Sequence, residues 1–238
     1  MTLPVKSSLS YNLTVPSTKK KHKFRPFYVR EQKELLLAQQ SEDISVMVST
    51  LKNVILSCVE NIDVDSLALF DIEYIFTQIR AKSTGEIVEI LMGCDYESCV
   101  DNPKAKIKVP IDLTKLEVTT PEGHTNNIPL YDDVGVVMKY PTYDLINDIK
   151  GIEDETQMMT ETILGSVDYI YTKDTIHYAS DYSKEELAGF FDDLEGEEFK
   201  KVSKFFNTSP KLTHTVEYKC PECGKQHKQT VEGIKSFF

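Results

Sequence analysis

The sequence predicts an α+β fold: N-terminal helices, a central antiparallel β region, and C-terminal helices ending in a zinc-ribbon-like β knuckle. Three observations carry this. Apolar residues recur at three and four positions from Ile44 to Cys58 and again from Leu67 to Ile79, the spacing of a buried helix face. β-branched runs such as Ile87-Val88-Glu89-Ile90-Leu91 then replace that spacing. Two close cysteine pairs, Cys94 with Cys99 and Cys220 with Cys223, sit at turns between such runs. The elements come in blocks rather than alternating strand–helix units, which argues against a doubly wound sheet.

Taken in order, residues 1–23 are rich in Ser, Thr, Pro and Asn and end in Lys19-Lys20-Lys21-His22-Lys23. They are expected to form a flexible, solvated basic arm, with docking to an acidic partner as the functional alternative. A single α+β domain is expected over 24–238. Its helical part, 24–82, begins after Phe24-Arg25-Pro26-Phe27-Tyr28 with Glu31–Gln40, continues from about Ser41 to Cys58, and ends with a helix from about Ser66 to Ala81 stopped by Gly85. The β part, 83–140, holds strands at Ile87–Leu91, Lys106–Val109, Leu116–Thr119 and Val134–Met138, with a turn-rich loop from Pro121 to Asn127.

The second helical part, 141–208, starts at Tyr143–Ile149. Met159, Ile163, Val167 and Ile170 keep helical spacing, so a helix is expected from Glu155 to Ile170. Ser183-Lys184-Glu185-Glu186 matches a capping box. The Leu187, Phe190, Phe191, Leu194 stripe and the Phe199, Val202, Phe205, Phe206 stripe read as core, with a partner-docking face as the alternative. Finally, 209–238 forms a cysteine-bearing ribbon packing back on the β part, and Phe237-Phe238 either packs back or binds something.

The 238 residues carry 27 Lys+Arg against 38 Asp+Glu, a net charge of −11, with 40% hydrophobic and 27% charged residues. That composition supports a globular core and argues against a protein that binds nucleic acid by neutralising phosphates. No apolar run is long enough to span a membrane, and the first residues lack the apolar stretch of an export signal. No small-molecule substrate and no membrane partner are expected.

Cys220-Pro221-Glu222-Cys223-Gly224 is the strongest chemical signal, since two thiolates two residues apart hold half of a tetrahedral zinc site. Cys94 and Cys99 would complete a structural Cys94, Cys99, Cys220, Cys223 site with no open position. The other set is Cys220, Cys223, His227 and His214. Metal-free reduced cysteines and thioredoxin-like redox chemistry are further readings, the last disfavoured because the pair lies in a ribbon. Cys58 reads as a small buried hydrophobe. Phosphate-cradling Gly loops, the Gly-x-Ser-x-Gly elbow and His-Glu-x-x-His are missing, so no catalytic residue is expected.

Several segments together carry a resemblance: Phe24-Arg25-Pro26-Phe27, Glu31 to Ala38, Asp71 to Phe76, Arg80-Ala81-Lys82-Ser83-Thr84-Gly85-Glu86, Ile111-Asp112-Leu113, Met138 to Thr142, the cysteine knuckle, Glu232-Gly233 and Phe237-Phe238. They resemble the baseplate assembly protein family of T-even-type tailed phages over about residues 24–238, most specifically in Arg-x-Lys-Ser-x-Gly-Glu. The resemblance implies a non-enzymatic late protein of the infected bacterial cytoplasm. Its partners would be baseplate hub proteins, and it would act either as an assembly chaperone or as a hub subunit of the virion. Ser83, at a helix end beside Lys82, reads as a cap rather than a nucleophile. A zinc-ribbon nucleic-acid or transcription factor is the alternative function, and an enzyme ranks third.

Overall fold

The structure is a computed structural model that describes residues 9–41, 44–97, 99–100, 102–149 and 151–233. The chain forms two compact units, whereas the sequence reading has one domain over 24–238. The first comprises Met1–Val64, Phe70–Thr119 and Lys211–Phe238, and the second Asp65–Leu69 and Thr120–Pro210. Mixed helix and antiparallel sheet agree with the α+β class.

The first unit opens on a hairpin, β1 (Tyr11–Thr14) with β2 (Lys21–Phe24). This departs from the flexible arm expected over 1–23. Leu13, Val15 and Phe24 alternate inward and are buried, while the Ser17 amide donates to the Asp71 carboxylate at 2.9 Å. The Ser17 hydroxyl donates to the other oxygen of Asp71, itself fully buried. Residues 1–8 lie outside the described residues, as does the Phe237-Phe238 pair.

Three helices follow: α1 (Val29–Gln40), α2 (Ile44–Cys58) and α3 (Leu69–Thr84). The start of α1 is held by buried Glu31. One of its oxygens accepts from Arg25 and Arg30, both at 2.8 Å, and the other from the Tyr28 amide at 2.7 Å. Burial pushes the Glu31 carboxyl up, but these donors outweigh it and hold it at about 2.

At the end of α3, the Ser83 hydroxyl donates to the Ile79 carbonyl at 2.6 Å and accepts the Phe27 amide at 2.9 Å. Lys82 pairs with Glu86 across Gly85, whose φ of +117° breaks the helix. Two segments that carry the family resemblance are thereby joined. Cys58 lies in the core as expected, and burial pushes its thiol up to about 11.

The rest of this unit is sheet. β3 (Ile87–Met92) pairs antiparallel with β4 (Ile107–Asp112). β5 (Glu117–Thr119) joins the start of β10 (Lys211–Lys219), whose other edge pairs along its length with β11 (Gln226–Glu232). Ile111, Leu113, Leu116 and Leu212 are buried almost completely at their common core, with Ala81, Met92 and Val216 around them.

The second unit is a four-stranded antiparallel meander, β6 (Asn127–Tyr131), β7 (Val134–Met138), β8 (Val167–Tyr171) and β9 (Ile176–Tyr178). Helices α4 (Tyr143–Asp148), α5 (Glu155–Gly165), α6 (Lys184–Asp192) and α7 (Gly196–Asn207) complete it. The predicted capping box at Ser183 and Glu186 is present. Leu187, Phe191, Val202 and Phe205 bury against Val136, Met138 and Ile170, so both aromatic stripes serve this core.

β6 and β9 fill stretches that the sequence reading leaves unassigned, and one expected helix is shorter. In β6, which begins where the expected loop ends at Asn127, Ile128 and Leu130 alternate inward around Pro129, which an edge strand tolerates. The helix expected to run to Ile170 ends at Gly165. A register shift opposite Val137 and Met138 turns both Val167 and Ile170 inward, and that three-residue interval imitates a helical face.

Candidate metal centre

Two hairpin loops of the first unit supply the four paired cysteines. Between β3 and β4 the chain leaves the ladder at Gly93, presents Cys94, and turns so that the Cys99 amide donates to the Tyr96 carbonyl at 2.7 Å. A 3-10 turn, Pro103–Ala105, capped by the Asn102 side chain, returns it to β4. Between β10 and β11 the Gly224 amide donates to the Cys220 carbonyl at 3.0 Å and the Cys220 amide to the Lys225 carbonyl at 2.9 Å. Gly224 has φ of +73°, the left-handed conformation such a tight loop requires.

The sulfurs of Cys94, Cys99, Cys220 and Cys223 all lie within 4.8 Å of one another, and Cys94 and Cys223 are 3.8 Å apart. Thiolates at ~2.3 Å from a tetrahedral zinc stand about 3.8 Å from each other, because a tetrahedron's edge is about 1.6 times its centre-to-corner distance. A disulfide would need about 2.05 Å, and all five cysteines are free thiols. Cys94, Cys99 and Cys220 are buried around Ala105, while Cys223 is exposed. The donor set therefore fits one tetrahedral ion reached from the Cys223 side.

Proton affinities within the cluster are unequal. Hydrogen bonding from the Cys223 amide outweighs burial at Cys220, and with help from the Glu222 amide lowers that thiol to about 7. At Cys94 the Tyr96 amide pulls down, but burial and the sulfurs of Cys223 and Cys220 push the thiol up to about 12. The amides of Glu222 and Cys223, which point at Cys220, favour its thiolate form at the tip of the knuckle.

Polar contacts lock the two loops together. The Tyr218 hydroxyl donates to the Gly93 carbonyl at 2.6 Å, and its ring stacks on His227, centroids 5.0 Å apart. These two residues face each other in the β10–β11 register. Asp95 reaches His227 Nδ1 at 3.5 Å and Lys225 Nζ at 3.7 Å, and Lys225 sits 5.2 Å over the Tyr96 ring. Sequence reasoning named His227 only as a ligand and missed Asp95 and Tyr218; the cross-strand Tyr218/His227 pairing was the signal available. His227 does group with Cys94 and Asp95, but among the described residues His214 joins neither cluster. The structure therefore assembles the four-cysteine set, and not Cys220, Cys223, His227 and His214.

Two other histidines make local contacts within the second unit. His124 forms a three-ring cluster with Tyr140 and Phe205, centroids 5.3 to 5.7 Å apart, and hydrogen-bonds Thr208 and the Tyr140 hydroxyl. His177 bonds Tyr182. No helix among the described residues is long and apolar enough to cross a membrane.

Comparison with known proteins agrees with the sequence resemblance and extends it toward the N-terminus. The family described as "T4 bacteriophage base plate protein" matches over residues 8–238, which takes in the β1–β2 hairpin. The baseplate hub assembly protein gp26 of Enterobacteria phage T4 is 24% identical over 215 residues, covering 90% of this chain and 90% of that protein. No solved structure matches. With nearly the whole chain matched, the protein belongs to the T4 bacteriophage base plate protein family.

Proposed function

We propose that this protein is a baseplate hub assembly protein that works by binding hub proteins in the cytoplasm of the infected bacterium, without catalysis. The match to a hub assembly protein along nine-tenths of both chains carries the reading. Zinc held by Cys94, Cys99, Cys220 and Cys223 would act as a structural staple. Four thiolates leave no coordination position for water or substrate, so the ion would tie the β3–β4 loop to a ribbon-like knuckle rather than activate a reactant.

Charge disfavours the zinc-ribbon nucleic-acid alternative. Of the three lysines beside the knuckle, Lys225 pairs with Asp95 and Lys228 with Glu217, leaving little free positive field for phosphates.

The test is infection with phage carrying an early stop codon in this gene, with and without the protein supplied from a plasmid. Tails should stall before a complete baseplate, and supply should rescue them. Normal baseplates without the protein would overturn the reading. Quantitative peptide mass spectrometry of purified particles beside the lysate then separates the two modes. Abundance in lysate but absence from particles identifies an assembly factor, and a fixed ratio to hub proteins a subunit.

A further inference from the structure

The β1–β2 hairpin carries Lys19, Lys20, Lys21 and Lys23 exposed within five residues. Among the described residues, none of them forms an ion pair, although most other lysine pairings found here involve exposed surface carboxylates. Glu60 is the carboxylate at the rim, lining a shallow recess with Lys20, Lys21, His22, Lys23 and Asn61. One rim carboxylate thus faces a cluster of four lysines, in a chain whose other 23 cations face 38 acids.

The prong is held firmly. Val15 is fully buried, Ser17 is tied to buried Asp71, the Glu60 amide donates to the Lys23 carbonyl, and the Arg25 amide donates to the Cys58 carbonyl, the last two at 2.9 Å. Lys19 occupies a left-handed conformation, φ +57°, where glycine would sit without strain. Repulsion and strain are thus both retained at a tip built on buried anchors.

We infer that this prong docks an acidic segment of a partner protein, a reading that rests on the assembly function and names the surface serving it. Lys21 and Lys23 lie on one face of β2, about 7 Å apart. Carboxylates at alternate positions of an extended acidic segment have the same spacing. The excess acid elsewhere repels a long polyanion, so a short acidic stretch fits better than duplex nucleic acid.

The test is fluorescence anisotropy of a labelled ten-residue Glu-Ser repeat peptide against the full chain. Binding should weaken with added salt. The variant Lys19→Gln/Lys20→Gln/Lys21→Gln/Lys23→Gln should lose at least about tenfold in affinity at unchanged thermal midpoint, whereas Lys104→Gln/Lys106→Gln/Lys108→Gln/Lys115→Gln should bind normally. Should the quadruple prong variant fold poorly, Lys21→Gln/Lys23→Gln should still lose affinity relative to an equally charged control pair, Lys106→Gln/Lys108→Gln.

Equal affinity for prong and control variants, or no binding at low salt, would overturn the inference. Tighter binding to a short DNA duplex than to the peptide would reassign the prong to nucleic acid. Aggregation of the variant with affinity intact would reassign the lysines to protecting a sheet edge. Because the probe is the peptide alone, these outcomes are independent of whether phage assembly needs the protein.

Discussion

Replacing Glu31 by Gln tests the clamp that starts α1. The carboxylate is almost fully buried and takes three donors, Arg25 and Arg30 on one oxygen and the Tyr28 amide on the other. Moving its titration from 4.5 to about 2 corresponds to roughly 3 kcal/mol of preference for the ionised form in the folded chain. Water screens Arg30, which is 68% exposed, so about 2 kcal/mol is the expected net loss in Glu31→Gln near neutral pH. Because the folded value lies below the unfolded one, this stability is fully present above pH 4.5 and fades as pH falls toward 2. Urea unfolding followed by circular dichroism, with hydrogen exchange over residues 24–41, should show the variant destabilised at pH 7 and the gap closing between pH 4.5 and 2. Equal midpoints at pH 7, or a gap that persists unchanged at pH 2, would refute the assignment.

Two further substitutions probe packing in each unit. In Gly135→Ala the new methyl would clash with the Tyr171 ring and stand 2.8 Å from the Ile128 carbonyl, so the β6–β7–β8 ladder must shift. A loss of about 1–3 kcal/mol in urea unfolding is expected, and Gly135→Ser should be no milder. Ser83→Ala removes the acceptor of the Phe27 amide. It should cost about 1–2 kcal/mol and speed amide exchange at Phe27 while leaving residues 120–210 unaffected.

The helices of the first unit were legible because their apolar residues recur at helical spacing and Gly85 marks a clear stop. The cysteine site was legible because Cys-x-x-Cys-Gly demands a tight loop. What joins it to Cys94 and Cys99 is tertiary, since the two pairs meet only where the β3–β4 and β10–β11 hairpins end together. The N-terminal hairpin was hidden by its own lysines: Leu13 and Val15 give just two inward positions, and the buried anchor Asp71 lies 54 residues from Ser17. β8 was misread because a bulge set its inward residues three apart, and β6 went unassigned because Ile128 and Leu130 give just two inward positions between the loop ending at Asn127 and the strand at Val134.

Metal content tests the structural account most directly. The full chain, purified without a metal-binding tag under reducing conditions and analysed by inductively coupled plasma mass spectrometry, should carry one zinc per molecule. Cobalt exchanged into the site should show thiolate charge-transfer bands of a tetrahedral centre, and Cys220→Ser should lose both the metal and much of the thermal stability. A wild-type chain that holds no zinc and melts at the same temperature with or without a strong chelator would contradict the four-cysteine staple.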